Sequence, residues 1–238
     1  MTNRFIRISA TAAAACALIA GSILVGGPAM ASSSSSSDEA AVRATWDQYG
    51  VPAATQNRLL ADLAAGRAWD SLSGGDPVSS KTTTSTGLEE TVSTYADGSI
   101  AITDLQKPVV PATSTGGPVV RASVGCKVQS SSHYDSTSYC NVSTNVVVAN
   151  AAYVVTYHAV QGKGTTIVSR SSNSAFTTQG YLGSISSKEM RTNRATQSGN
   201  TPAEVTGYFT WTSSGSAGSK DFWLQFNVRG TSTSASNN

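Results

Sequence analysis

Asp221-Phe222-Trp223-Leu224-Gln225-Phe226-Asn227-Val228-Arg229 alternates without a break. Phe222, Leu224, Phe226 and Val228 fill the even positions, while Asp221, Gln225, Asn227 and Arg229 hold the odd ones around Trp223. A period of two belongs to an extended strand with one face on an apolar core and the other toward water. Trp223 is the exception, an aromatic ring in the outward set. In the preceding segment, Phe209 and Trp211 share one face and Tyr208 the other. If the two segments pair as a hairpin, Tyr208 joins Trp223. A ring flanked by amide, carboxylate and guanidinium groups suits a sugar, because it covers apolar C–H faces while its neighbours bond hydroxyls. Trp223, Tyr208, Gln225, Asn227 and Arg229 are therefore the candidate ligand-binding residues, the alternative being that another segment of the chain covers Trp223.

Similar alternations run from Val119 to Val128, Val142 to Ala149, Tyr153 to Val160, Thr165 to Ser169 and Val205 to Thr212, with turn residues between them. Several short strands without a convincing helix predict an antiparallel β-sandwich over 119–231, with a small β-barrel as second choice. Ser184 to Pro202 breaks the rhythm; polar and carrying Lys188, Arg191 and Arg194, it reads as a long loop. Residues 232–238, small and, apart from Ala235, polar, read as a disordered tail.

Before this region the pattern is helical. Ser36 with Glu39 three residues later is a capping-box signature. Val42, Thr45, Trp46 and Tyr49 then share a helix face as far as Gly50. Pro52 suits the first turn of a second helix carrying Leu59, Leu60 and Leu63 and ending at Gly66. Lys81 to Thr86 and Thr91 to Tyr95 read as strands, and Asp97-Gly98 predicts a two-residue type I′ hairpin into Ile100 and Ile102. Residues 38–105 thus form a small α+β unit, with a meander packed on two helices. Pro108, Pro111, Gly116, Gly117 and Pro118 mark 106–118 as a linker.

Gly50-Val51-Pro52, Leu59-Leu60, Trp69-Asp70-Ser71, Gly74-Gly75-Asp76-Pro77-Val78 and Tyr95-Ala96-Asp97-Gly98-Ser99 resemble a segment of secreted, uncharacterised proteins of actinobacteria. The resemblance covers Val42 to Leu105 and, more loosely, the cysteine-bearing β region. It implies an exported Gram-positive protein and carries over no catalytic residue.

The start of the chain agrees with export. Arg4 and Arg7 precede an apolar stretch from Ile8 to Val25, and Ala29-Met30-Ala31 presents small residues where a signal peptidase cuts. Residues 1–31 are therefore expected to be removed, leaving a secreted, extracellular chain with no stable membrane insertion. Residues 32–37 form an all-serine leader. Cys126 and Cys140 remain after cleavage, and in an oxidising compartment an isolated pair is expected to form a disulfide. Closing a loop of about 15 residues is worth roughly 3 kcal/mol.

Losing Arg4 and Arg7 takes the basic residues from 16 to 14, equal to the 14 acids. A chain without net positive charge is a poor nucleic-acid binder. The charges are unevenly placed, net −5 from Ser32 to Pro118 and net +5 from Val119 onward. That split favours docking of the halves or an anionic partner such as a cell-wall polymer.

Known chemistries find little support. A serine-hydrolase triad needs a histidine, and His133 and His158 stand without a Gly-x-Ser-x-Gly motif. Asp135, Glu189, Glu204 and Asp221 are the acids from which a glycosidase pair would be drawn. Gly162-Lys163-Gly164 lacks the rest of a phosphate loop and reads as a hairpin turn. The sequence offers no metal or cofactor motif. The leading expectation is a non-enzymatic secreted protein that binds a cell-envelope, polysaccharide or protein partner. An envelope-directed hydrolase with an unrecognised site, and a pore-forming or toxin-like protein, are the alternatives.

Overall fold

In the computed structural model, which describes residues 34–108, 126–132, 135–160 and 162–238, the chain opens with helices α1 (Ser34–Gln48) and α2 (Ala53–Ala64). The expected signal peptide 1–31, the linker residues 109–118 and His133 lie outside the described residues. Part of the serine leader does not: α1 begins at Ser34, inside the serine run. Both helices end as their glycines predict. Gly50 and Gly66 adopt positive φ, with Val51 N–H bonding Trp46 O at 2.9 Å and Arg67 N–H bonding Asp62 O at 2.8 Å. Val42 and Trp46 of α1 and Leu59 and Leu63 of α2 are buried. Gln56 ties the helices by donating to Asp47 Oδ1 (2.7 Å) and Val51 O (2.9 Å). Trp69 packs against Trp46 with ring centres 5.0 Å apart and planes tilted by 48°, and donates its indole N–H to Leu59 O.

The strands are β1 (Ser79–Ser85), β2 (Leu88–Thr94), β3 (Ile100–Gln106), β4 (Lys127–Ser132), β5 (Asp135–Asn145), β6 (Ala149–Val160), β7 (Gly164–Arg170), β8 (Thr177–Gly180), β9 (Gly183–Arg194), β10 (Ala203–Ser213), β11 (Ser219–Arg229) and β12 (Ser232–Asn237). They form two antiparallel sheets. The first runs β1-β2-β3-β5-β6-β7; its long strands β5 and β6 each carry a second short partner, β4 and β8. The second runs β12-β11-β10-β9. The fold is mainly β, a sandwich with its helices at the N-terminal end, and neither sheet closes into a barrel.

The predicted hairpin after β2 forms with a different turn. Tyr95 N–H bonds Ser99 O and Gly98 N–H bonds Tyr95 O, both at 2.9 Å, so the loop holds residues 96–98. Among these Gly98 alone has positive φ, as in a type I turn closed by a glycine bulge rather than the type I′ turn expected.

Three further expectations are corrected. The meander is not a separate unit, because β3 pairs with β5 through Ile102–Asn145 to Leu105–Val142, and residues 33–238 form one unit with no boundary near 118. Among the described residues the two halves are joined by strand pairing and by hydrogen bonds, and no ion pair runs between them. The ion pairs Arg43–Glu39, Arg67–Asp62, Lys107–Glu89 and Arg191–Glu189 each stay within one half. Most of the expected loop 184–202 is β9, an edge strand whose exposed charges discourage pairing with other chains. The expected tail is β12, paired with β11 over Leu224–Asn237 to Arg229–Ser232. It is held across the sandwich, where Thr103 Oγ1 donates to Asn237 Oδ1 (2.8 Å), Asn237 Nδ2 to Thr144 Oγ1 (2.8 Å) and Lys107 Nζ to Thr233 O (2.6 Å).

The core lies between the sheets. Val205, Phe209 and Trp211 of β10 and Phe222, Leu224, Phe226 and Val228 of β11 are all buried against Tyr153, Val155 and Tyr157 of β6 and Phe176. Each such side chain contributes roughly 1.5–3 kcal/mol. Tyr153 pins the layers together, its hydroxyl lying 2.9 Å from Leu224 O and 3.3 Å from Val205 O. Cys126 and Cys140 are joined between the start of β4 and β5.

Candidate functional site

With the even residues of β11 committed to the core, its odd residues face outward, and the β10–β11 register sets Tyr208 directly opposite Trp223. Both rings are half-buried. The next row places Gln225 opposite Thr206 and the one after it Asn227 opposite Glu204. Gln225 Nε2 donates to Asn227 Oδ1 at 3.1 Å. Four of the five candidate residues thus form one continuous patch. Arg229 is six positions beyond Trp223, roughly 20 Å along the strand, out of reach of a sugar unit stacked there.

Strand β9 completes the face with side chains that sequence reasoning assigned to a loop. Glu189 lies opposite Tyr208 on its other side. Arg191 places its guanidinium 5.0 Å from the centre of the Tyr208 ring and bonds Glu189 Oε2 at 2.7 Å. This hydrogen bond holds the Glu189 carboxyl below the usual range. Beside the aromatic row runs a polar one. Ser187 Oγ donates to Thr210 Oγ1 (2.8 Å), and Thr210 Oγ1 donates to Asp221 Oδ1 (2.7 Å), a chain that crosses three strands. Tyr208, Glu189 and Arg191 of the first row and Ser187, Thr210 and Asp221 of the second line an open concavity of about 510 Å³, and Trp223 lies outside that lining. The signal for β9 was faint, with Ile185 and Met190 its only large apolar residues. Met190 is buried opposite Gly207, and bulges at Glu204/Val205 and Thr210/Trp211 break the alternation on β9.

The end of β12 braces the centre of the patch, where Trp223 N–H donates to Asn238 Oδ1 at 2.8 Å. At its far end Asn193, in the bulge, donates to Thr206 Oγ1 (2.8 Å) and to Glu204 Oε1. Thr206 is buried beneath this cover although it faces outward.

The acids considered for hydrolysis are dispersed. Glu204 and Asp221 stand six positions apart along the β10–β11 ladder, roughly 20 Å. Glu189 and Asp221 share the concavity from strands on either side of β10. Asp135 lies at the start of β5, in the first sheet. His158 is on β6, opposite Thr137 and Thr166. Lys163 N–H bonds Val160 O at 3.0 Å between β6 and β7, so Gly162-Lys163-Gly164 is a hairpin turn. Among the described residues, no three His, Cys, Asp or Glu side chains are grouped to hold a metal ion, and no helix is long and apolar enough to cross a membrane.

No protein-family model matches the chain, and no curated protein matches it. Among solved structures, the crystal structure of a hypothetical protein from Listeria monocytogenes EGD-e is similar at a TM-score of 0.33 and 12% identity, over 63% of this chain and 94% of that one.

Proposed function

We propose that the protein is exported and acts without catalysis, binding a polysaccharide of the cell envelope through the outward face of β9, β10 and β11. The observation that carries this reading is the Tyr208–Trp223 pair, two half-buried aromatic residues directly opposite each other in the β10–β11 register, on an otherwise polar sheet face. Rings in such a setting stack on the apolar C–H faces of a sugar, while the adjoining Thr210, Asp221 and Gln225 meet its hydroxyls. Export rests on the leader-like start of the chain and fits the Cys126–Cys140 disulfide.

A hydrolytic reading would use Glu189 and Asp221, which share the concavity. A glycosidase needs one carboxyl that stays protonated near neutral pH. Arg191 moves Glu189 the opposite way.

The test is co-sedimentation of residues 32–238 with insoluble cell-wall polysaccharide, alongside Trp223→Ala and Tyr208→Ala. Binding by the parent protein, loss of binding in both variants and an unchanged melting temperature support the reading. Release of soluble sugars would replace it with hydrolysis, and leakage of dye from liposomes with pore formation. A large fall in melting temperature for Trp223→Ala, with no polysaccharide bound by the parent protein, would make the ring structural.

A further inference from the structure

The net +5 charge of residues 119–238 points to an anionic polymer, but the charge around Trp223 does not. On the outward face of the second sheet the acids Glu189, Glu204 and Asp221 match the bases Arg191, Arg194 and Arg229 in number. The cations nearest Tyr208 are also committed, and Lys220, next to Asp221, falls with Phe222 on the other side of β11. Arg191 is held by Glu189 and lies over Tyr208, Arg194 donates to Pro202 O at 2.9 Å, and the neighbouring Lys188 donates to Phe176 O at 2.7 Å. Arg229 is at the far end of the strand.

The acceptors differ. Asp221 is exposed, and its Oδ1 takes the Thr210 hydroxyl, while Oδ2 has no partner among the described residues. Glu189, which lines the concavity, uses Oε2 for Arg191, and its Oε1 has no partner among the described residues. The open hydrogen-bonding capacity beside the aromatic pair is thus carboxylate oxygen. It accepts from hydroxyl donors and repels a phosphate or carboxylate placed in the same space.

From this local balance we infer that the ligand of the Tyr208–Trp223 face is a neutral, hydroxyl-rich pyranose glycan, gripped through its hydroxyls by Asp221, and not an anionic wall polymer. This rests on the platform reading above and specifies its ligand class. A sugar stacked on Trp223 sits two positions along β11 from Asp221, roughly 7 Å, which is within one pyranose unit and its hydroxyls. With Oδ1 bonded to Thr210, Asp221 Oδ2 is the acceptor left for a hydroxyl of that unit. The positive charge of residues 119–238 serves something other than this face.

The test is affinity electrophoresis of residues 32–238 in native gels containing a neutral glucan, a neutral mannan, polygalacturonate or lipoteichoic acid, each at low and high salt. The expected result is retardation by a neutral glycan that high salt leaves in place, lost in Trp223→Ala and weakened about tenfold or more in Asp221→Asn at unchanged melting temperature. Retardation only by the anionic polymers, abolished by salt and by Trp223→Ala, would overturn the ligand class and leave the platform standing. Retardation by a neutral glycan that Asp221→Asn leaves at full strength would overturn the role of Asp221. Retardation by none of the four polymers would overturn the inference, and indifference to Trp223→Ala would overturn the platform as well.

Discussion

Asp70 and Asp97 each accept the other's backbone N–H: Asp70 N–H bonds Asp97 Oδ2 at 2.8 Å, and Asp97 N–H bonds Asp70 Oδ2 at 3.1 Å. Asp97 Oδ1 also takes the Ser99 N–H (2.9 Å) and hydroxyl (2.6 Å), and the Ser99 hydroxyl oxygen accepts from Ser71 N–H at 3.0 Å. Two segments that share no periodicity, Trp69-Asp70-Ser71 and Asp97-Gly98-Ser99, are thus one clasp between the segment after α2 and the β2–β3 hairpin. Asp97→Ala removes several charge-assisted bonds at once and is expected to cost about 2–3 kcal/mol, with Asp97→Asn costing less because one acceptor oxygen remains. Urea denaturation measures both, and an Asp97→Ala protein as stable as the parent would show the clasp to be dispensable.

Asp104 stands opposite Glu90 across β2 and β3, with Tyr49, in the turn after α1, donating to Glu90 Oε2 at 2.9 Å and Ser143 of β5 donating to Asp104 Oδ2 at 3.4 Å. Asp104 Oδ1 is buried without a partner among the described residues. Burial, and then the Glu90 charge, raise the Asp104 carboxyl above its ordinary 3.8. Between 3.8 and the raised value the folded state holds a proton that the unfolded state has lost, so this group's contribution to stability falls as pH rises through that window. Asp104→Asn is expected to stabilise the protein at pH 7 by roughly 0.5–1 kcal/mol, with the gain shrinking as pH falls toward 4. Denaturation curves for both proteins at several pH values check this, and a variant less stable than the parent at pH 7 would contradict it.

The apolar alternation of β10 and β11 made the sandwich legible, because burying Val205 to Trp211 and Phe222 to Val228 leaves one register and therefore one outward row. That row holds Tyr208 and Trp223, which a hairpin between the two segments brings together. What was not legible lacked an apolar face. Thr233 and Ala235 are the inward residues of β12, and its place depends on Asn237 and Lys107 bonds that join residues more than 90 positions apart. Strand β9 carries its charges where an edge strand needs them, which in sequence looks like a loop. The pairing of β3 with β5 follows from no local pattern, and the proline- and glycine-rich segment between them suggested separation instead.

That pairing makes a cleavage experiment decisive about the domain reading. A protease site inserted after Pro111 divides the chain between β3 and β4. The cleaved halves are expected to co-elute in gel filtration and to melt together, because Ile102 to Leu105 stay paired with β5 while Asn237 and Thr233 stay bonded to Thr103 and Lys107. Two separately folded fragments would restore a boundary near 118.

The sugar-platform claim can be read directly from tryptophan emission. Of the four tryptophans, Trp46, Trp69 and Trp211 are 0%, 1% and 0% exposed, which leaves Trp223 as the accessible indole and the other three as internal controls. Acrylamide quenching of residues 32–238 should show one accessible class that disappears in Trp223→Phe, and saturating neutral glycan should protect that class. Glycan bound in the same sample while the accessible class stays fully quenchable would contradict the account, because the ligand would then sit somewhere other than on Trp223.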